Sequence, residues 1–388
     1  MAKISNLITV LDLRDSPWVD GPGRTVLDCA ETMDPTRCRI VIGVFDGGNA
    51  DSTAYEREAH KRGLTVERIH ERRSLDPGVL NQIMRVARTH KADILHTHDF
   101  RSDLFGFAAA RALRLPMIST VHGWIANDFR GRISTALDKI ILRSADHVIA
   151  VSEQTRTQLG TWAAKQRCTV IPNALRIERY HPKRSARAFR TANGISESEL
   201  IIANIGRLSP EKGQMPFLNA ARDLLERHCG LRFVLFGIGP DWPKLEQFVN
   251  THRMQERVIF AGYRSDMVEI YNELDLVVQS SVTEGMPNVV LEALLMEVPV
   301  IATDVGGTRE IVKNGVTGTL IPSDDHSVLV NALEEYLSDP STFKTKAIRG
   351  RKDIKARFDH ARRLEQLGDV YDQVLNRRSR FDRCFSRG

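Results

Sequence analysis

The sequence predicts an α/β protein built from two doubly wound domains. Three observations carry that reading. Short apolar, β-branched runs alternate with longer helical patterns along most of the chain, as expected for parallel strands joined by crossover helices. Runs such as His147–Val151, HVIAV, are apolar on both faces, as strands covered on both sides must be. The chain has 388 residues, 42% of them hydrophobic and 27% charged, which exceeds one small core and can supply two.

In the first half the expected strands are Ile4–Val10, Arg39–Phe45, Thr65–Ile69, Asp93–Thr97, Met117–Val121, His147–Val151 and Thr169–Ile171. The clearest helices between them are Val79–Ala87, Leu104–Leu113 and Ile133–Ile141. The pattern lapses after Pro172. Residues 173–199 are polar and charged with little period, and they are read as the boundary between a domain of residues 1–175 and a second of 176–359. Strands then resume at Leu200–Ile205, Leu231–Phe236, Arg257–Ala261, Leu274–Val278, Val298–Ala302 and Gly318–Ile321, with helices at Pro216–Glu226 and Asn288–Met296. Asp359 is placed to cap a last helix whose apolar face is Leu364, Leu367, Tyr371 and Val374. That face needs a partner to bury it. The end of the chain, NRRSRFDRCFSRG from Asn376, is expected to fray. Two sheets of this kind, with strand C-termini at a crevice, make a ligand cleft between domains.

Composition narrows the function classes. No window approaches the ~18 uninterrupted apolar residues of a membrane span, and the N-terminal MAKISNLITVLDLRDS lacks the form of an export signal. Cys29, Cys38, Cys168, Cys229 and Cys384 form no C-x-x-C pair, which disfavours a disulfide frame and a zinc clip. The chain reads as cytoplasmic and reduced. Its net charge of +6 is uneven: 26 basic and 21 acidic residues over 1–180, 18 and 22 over 181–350, and 11 and 6 over 351–388. A basic outer segment suits phosphates or an anionic membrane face; an ordinary solvated surface is the plainer account. Aromatic residues are only 6% of the chain and are not interleaved with the basic ones, so nucleic acid is a poor partner. There is no Asp-x-Asp motif, and His96-x-His98 has no partnering carboxylate cluster in sequence. No tightly bound metal or other cofactor is therefore expected. Ser–His–Asp and Cys–His nucleophile patterns are also missing.

The segment Ser280–Met296, SSVTEGMPNVVLEALLM, carries the sharpest signal. It follows a strand, turns at Glu284–Gly285, and enters a helix for which Pro287 suits the first position. A buried helix start presents free N–H groups and about half a positive charge, which is a site for a diphosphate. Glu292, one turn further on, and Glu284, just ahead of the helix, are placed to accept hydrogen bonds from sugar hydroxyls. Ordinary surface carboxylates are the bland alternative. In IANIGRLSPEKGQ, Ile202–Gln214, Arg207 and Lys212 stand at the end of a strand, a planar fork and a point charge for phosphate oxygens. The alternative is a pair of surface cations neutralised by Glu211. Phe233–Trp242 carries Gly237 and Gly239 but has Trp242 where a third glycine would complete a dinucleotide fingerprint, so it is read as a tight turn. Gly262, Gly306 and Gly307 are further points of close backbone approach.

Taken together, GRLSPEKG, EGMPNVVLE with seven residues between its glutamates, DVGGTREIV and NGVTG resemble the donor-binding domain of glycosyltransferase family 4, retaining enzymes of the GT-B architecture. HTHDFRSD, STVHG, ADHVIAVSE and VIPNA extend the resemblance through the first half, from about Ile4 to Val374. It implies two Rossmann-like domains facing a cleft, with the last helix (residues 360–388) returning to the first. Arg207 and Lys212 are implied to grip the diphosphate of a nucleotide-sugar donor, Glu284 to contact its sugar, and Glu292 its ribose. Backbone groups of Gly262, Gly285, Met286, Pro287, Asn288 and Val289 are implied to line the donor, and His122 to stand beside the reacting sugar. A packed or capping histidine is the other reading of His122. The family's N-terminal glycine loop corresponds to Gly21-Pro22-Gly23-Arg24, where proline removes one N–H; Gly23 is its candidate donor contact. The family's glycine after Pro-Asn is here Ala174.

The implied activity is metal-independent hexosyl transfer with retention of configuration, from a nucleoside-diphosphate sugar, nominally UDP-linked. The acceptor is a glycan, a lipid-linked glycan or a small molecule, and the setting is polysaccharide biosynthesis of a bacterial cell envelope. The basic, amphipathic stretch Arg130–Arg143 leaves peripheral contact with the inner membrane face open beside a plain packed helix. A nucleotide-sugar epimerase of the same architecture and a non-catalytic nucleotide-sugar-binding protein remain alternatives, with an NAD-dependent enzyme a distant third.

Overall fold

The computed structural model describes residues 7–48, 51–73, 75–124, 129–163, 167–182, 187–323 and 325–385. The chain divides into two compact units, Met1–Asn173 with His360–Gly388, and Ala174–Asp359. The first holds strands β1 (Ile8–Arg14), β2 (Cys38–Phe45), β3 (Val66–Ile69), β4 (Ile94–Thr97), β5 (Met117–Val121), β6 (His147–Ala150) and β7 (Cys168–Val170). They form a parallel sheet in the order β3-β2-β1-β4-β5-β6-β7. The second holds β8 (Leu200–Ile205), β9 (Leu231–Phe236), β10 (Val258–Gly262), β11 (Leu276–Gln279), β12 (Val300–Thr303) and β13 (Thr319–Ile321). Their order is β10-β9-β8-β11-β12-β13, again parallel. Both units are doubly wound, and in each the strand order reverses beside the first strand.

The expected partner for the last helix is found. In His360–Phe385 the side chains of Leu367, Val370, Tyr371 and Val374 join Val10, Ile42, Ile94 and Ile118 in the core of the first unit. Each such side chain removed from water contributes about 1.5–3 kcal/mol. Arg363, on the same helix, donates to the carbonyls of Ile171 (2.9 Å) and Pro172 (2.6 Å). In the second unit the core runs through Phe217, Phe233, Leu235, Leu276, Val278, Ile301, Leu333 and Phe343.

Four local expectations are corrected. Strand β1 ends at Arg14, beyond the expected Val10, because Asp12 and Arg14 are buried polar residues inside it rather than the start of a loop; the expected start at Ile4 lies outside the described residues. Gly21–Arg24 is not a loop but the first turn of helix Gly21–Thr32, capped by Asp20, whose Oδ1 accepts the Gly23 N–H at 2.7 Å. Pro287 is not the first helical residue but the N-cap of Asn288–Leu295. The tail does not fray at Asn376: the helix continues to Phe385. No described helix is long and apolar enough to cross a membrane.

Candidate functional site

In the second unit β8 and β11 are the neighbours at which the strand order reverses. Loops leaving two such strands diverge and open a crevice at their C-terminal ends. The loop after β8 carries Arg207 and Lys212; the loop after β11 carries Glu284 and leads to helix Asn288–Leu295. The two are held together tightly. Gly213 has φ +65, and a β-carbon there would lie 1.9 Å from the Ser280 carbonyl oxygen. Gly306, with φ +55, would meet the Glu284 carbonyl at the same 1.9 Å. Only glycine permits these approaches. The Gly213 carbonyl accepts Ser280 Oγ at 2.7 Å, and the Gly307 N–H donates to the Gly285 carbonyl at 2.7 Å.

The Lys212 ammonium donates to Glu284 Oε1 at 2.7 Å, so it pairs with the sugar-binding candidate. Ser281 Oγ (2.7 Å) and Gln279 Nε2 (3.4 Å) reach the same oxygen. All three fix the carboxylate through Oε1. Among the described residues nothing donates to Oε2. Arg207 is exposed, and its guanidinium has no ion pair among the described residues. A guanidinium fork and a half-buried ammonium on one loop are chemically suited to phosphate oxygens. Helix Asn288–Leu295 has no side-chain cap; its Val290 N–H turns back to the Pro287 carbonyl at 3.2 Å, and the start of such a helix carries partial positive charge.

Glu292 is buried, and its carboxylate is anchored by two phenols, Tyr180 (3.2 Å to Oε1) and Tyr271 (2.9 Å to Oε2). Tyr180 follows the short 3-10 turn Ile177–Arg179, and its carbonyl accepts from Arg351 at 3.1 Å. Gly262 closes β10 with φ +67, and a β-carbon there would meet nothing within 4 Å. Met286 is buried.

The first unit holds a second polar cluster, at its own reversal point between β1 and β4. The expectation that His96 and His98 lack a carboxylate is corrected here: Asp12, on the adjoining strand, accepts from His98 Nε2 at 2.9 Å. His98 Nδ1 lies 3.1 Å from His122 Nε2. The rings of His96 and His98, and of His98 and His122, are stacked, with centroids 4.5 and 5.4 Å apart. His96 bonds Tyr371 Oη through Nδ1 (2.9 Å) and Thr120 Oγ1 through Nε2 (2.8 Å). Ligand atoms of Asp12, His96 and His98 lie within 4.8 Å of one another, but both nitrogens of both histidines are engaged by protein groups. In this structure the cluster forms a hydrogen-bond network. Burial lowers His96 to about 3. It likewise holds His122 well below the ordinary histidine value, with His98 and Arg14 adding to the effect. Burial opposes the charge of Asp12, but His98, His96 and Arg14 outweigh it, and the carboxyl titrates below its usual value.

Near this cluster, the backbone N–H of Asp15 donates to Asp99 (2.9 Å) while Arg101 pairs with the Asp15 carboxylate at 3.2 Å. Burial and the charge of Asp99 push Asp15 up to about 7. Gly23 has its N–H occupied by Asp20, and a β-carbon there would press on Asp20 and Tyr55 at 2.9 Å. Its lack of a side chain is explained by packing.

Asp12, Tyr180, Tyr271, Gln279 and Ser281 were not singled out by the sequence. Asp12 had one readable signal, a carboxylate inside the apolar run ITVLDLR. The others sit 3 to 112 residues from the glutamates they hold; Ser281 lies within the segment Ser280–Met296, whereas the two tyrosines share no motif with Glu292.

Comparisons with known proteins cover both units. The family described as "Glycosyltransferase Family 4" matches residues 19–179, and "Glycosyl transferases group 1" matches 185–353. The UDP-Gal:alpha-D-GlcNAc-diphosphoundecaprenol alpha-1,3-galactosyltransferase of Escherichia coli is 26% identical over 319 residues, 77% of this chain and 80% of that protein. The D-inositol 3-phosphate glycosyltransferase of Nocardia farcinica is 29% identical over 304 residues, 73% of this chain and 67% of that protein. Among solved structures, Anabaena HepE in complex with UDP and glucose superposes with a TM-score of 0.84 at 22% identity, over 94% of this chain and 99% of that one. The sucrose-phosphate synthase of Thermosynechococcus elongatus gives 0.82 at 20%, over 95% and 99%. The chain has the GT-B fold, belongs to glycosyltransferase family 4, and is a glycosyltransferase.

Proposed function

We propose that the chain transfers a hexose from a nucleoside-diphosphate sugar, with UDP as the carrier, to a glycan or lipid-linked acceptor, with retention of configuration and without a metal. The observation that carries this reading is the pairing of Lys212 with Glu284 across the loops after β8 and β11. It sets a cation for the diphosphate beside a carboxylate for the sugar, next to an uncapped helix start. As the sugar–phosphate bond breaks, positive charge grows on the sugar carbon and negative charge on the departing diphosphate. Arg207, Lys212 and the first-turn amides of Asn288 and Val289 stabilise that negative charge more in the transition state than in the ground state. The leaving phosphate takes the acceptor's proton. Glu284 and Glu292 bind hydroxyls of the donor's sugar and ribose. They are not the flanking carboxylates of a hydrolase.

UDP-linked donors and undecaprenyl-linked acceptors appear in the names of similar proteins, which supports the choice of carrier and acceptor class. Contact with a lipid surface is supported by helix Phe129–Arg143, where Ile133, Leu137 and Ile140 are 46%, 47% and 59% exposed along one face, flanked by exposed Arg132 and Arg143.

A thermal-shift panel of UDP-, GDP- and ADP-sugars selects the donor, because a bound ligand raises apparent stability with the logarithm of its excess. NMR of the product then gives the anomeric configuration. Nucleoside diphosphate release with a retained anomer, undiminished by EDTA, is expected. Inversion, epimerised donor without diphosphate release, or dependence on added Mg²⁺ contradicts the reading. Co-sedimentation with anionic vesicles that weakens with salt is expected for the membrane contact; binding indifferent to lipid charge contradicts it.

A further inference from the structure

We propose that Asp12 and His98 are positioning residues that hold His122 as a neutral ring protonated at Nε2, keeping its Nδ1 lone pair for a hydroxyl of a sugar substrate. The inference rests on the reading of His122 as a group beside the reacting sugar.

The argument follows donors and acceptors along the chain of three groups. A carboxylate only accepts, and the one described partner of Asp12 Oδ2 within 3 Å is His98 Nε2, at 2.9 Å. His98 therefore carries a hydrogen on Nε2; with that hydrogen alone, its Nδ1 offers a lone pair. The contact of 3.1 Å from His98 Nδ1 to His122 Nε2 then needs its hydrogen from His122. His122, neutral by burial, has its single hydrogen on Nε2 and its lone pair on Nδ1. That last atom is buried and accepts from none of the described residues. An unsatisfied buried acceptor is uncommon and costly; along this chain of three groups His122 Nδ1 shares that condition only with Asp12 Oδ1. The residue as a whole is only half-buried. A proton on His98 Nδ1 would leave the bond to Asp12 as it is, reverse the bond to His122 and put the His122 hydrogen on Nδ1, turning an acceptor into a donor. Asp12 and His98 thus choose what His122 offers. His96, whose nitrogens are occupied by Tyr371 and Thr120, backs the stack without joining the chain.

The test has a spectroscopic arm and a kinetic arm, both on the full chain. Two-bond ¹H–¹⁵N correlation spectra of histidine-labelled protein, assigned through His122→Gln, report each ring's tautomer at neutral pH. Nε2–H at His122 and at His98 is expected; Nδ1–H at His122 overturns the proposal. In Asp12→Asn, which keeps the shape of the side chain but no longer dictates the direction of the bond, the tautomers of both rings are expected to change. There kcat falls about tenfold or more while the donor KM stays within about twofold. Wild-type tautomers and kcat in that variant overturn the proposal. Full kcat in His122→Ala overturns the underlying reading of His122 and the proposal with it. Loss in His122→Ala with none in Asp12→Asn overturns the positioning role alone. Should Asp12→Asn fail to fold, His98→Gln is expected to give the same loss of kcat, and the wild-type spectrum decides the tautomer by itself.

Discussion

Replacing Lys212 by methionine keeps the apolar stem and removes the charge. In the resting protein the loss is modest. Glu284, with its side chain 8% exposed, loses an ammonium that is itself 29% exposed, but retains Ser281 and Gln279 on the same oxygen. Leaving one charged partner unpaired costs about 1–3 kcal/mol, and solvent access to Lys212 puts this case at the low end. In the transition state the loss is larger. A fixed donor aimed at developing charge is worth about 2.7–4 kcal/mol, or about 10²–10³ in kcat. Lys212→Met is therefore expected to fold, with a slightly lowered Tm, and to turn over about 10²–10³ more slowly. Coupled detection of nucleoside diphosphate release, alongside thermal unfolding, measures both. Adding Glu284→Gln restores the lost stability, because the orphaned charge is gone, but not the turnover. A Lys212→Met enzyme with kcat within about threefold of wild type refutes the electrostatic reasoning.

Other expectations follow from the same geometry. Tyr271→Phe removes a hydrogen bond to the buried Glu292 carboxylate; it lowers unfolding free energy by about 1.5–3 kcal/mol and raises donor KM with little change in kcat. A change confined to kcat counts against the placement of Glu292 at the ribose. Asp103 and Asp138 form a buried carboxyl pair joined to Thr97 and Trp124. Burial and the charge of Asp138 hold Asp103 well above its ordinary range, and burial does the same for Asp138. Such groups bind protons more tightly in the folded chain, so their effect is least unfavourable below the unfolded value of about 4 and stability falls as pH rises towards the folded value. Urea midpoints for Asp103→Asn are expected to depend less on pH between 5 and 8; an unchanged slope contradicts this. Leu367→Ala costs about 2–5 kcal/mol in chemical denaturation, and a loss below about 0.5 kcal/mol contradicts the docking of the last helix.

The sequence made the strands legible because parallel strands buried on both faces read as unbroken apolar runs. Leu200–Ile205 and Leu231–Phe236 match the structure at both ends. It misread β1 because Asp12 and Arg14 break the apolar run while staying buried. The loop expected at Gly21–Arg24 rests only on the family resemblance, whereas the Asp20 cap and a proline in the first turn make a sound helix start. The loops after β8 and β11 stood out because their glycines, glutamates and cations lie within short motifs. The contacts between the loops did not, since Lys212 and Glu284 are 72 residues apart. The Asp12–His98 bond spans 86 residues and exists only because β1 and β4 are adjacent in the sheet. No local pattern encodes that adjacency; the order of strands does.

Calorimetric titration of UDP, GDP and ADP, each beside its monophosphate, into wild type and Lys212→Met measures what the second phosphate adds. In the wild type the cognate diphosphate should bind more tightly than its monophosphate, by about tenfold or more, and in Lys212→Met most of that gain should vanish. The same preference for the diphosphate in both proteins would place its binding elsewhere and contradict the account.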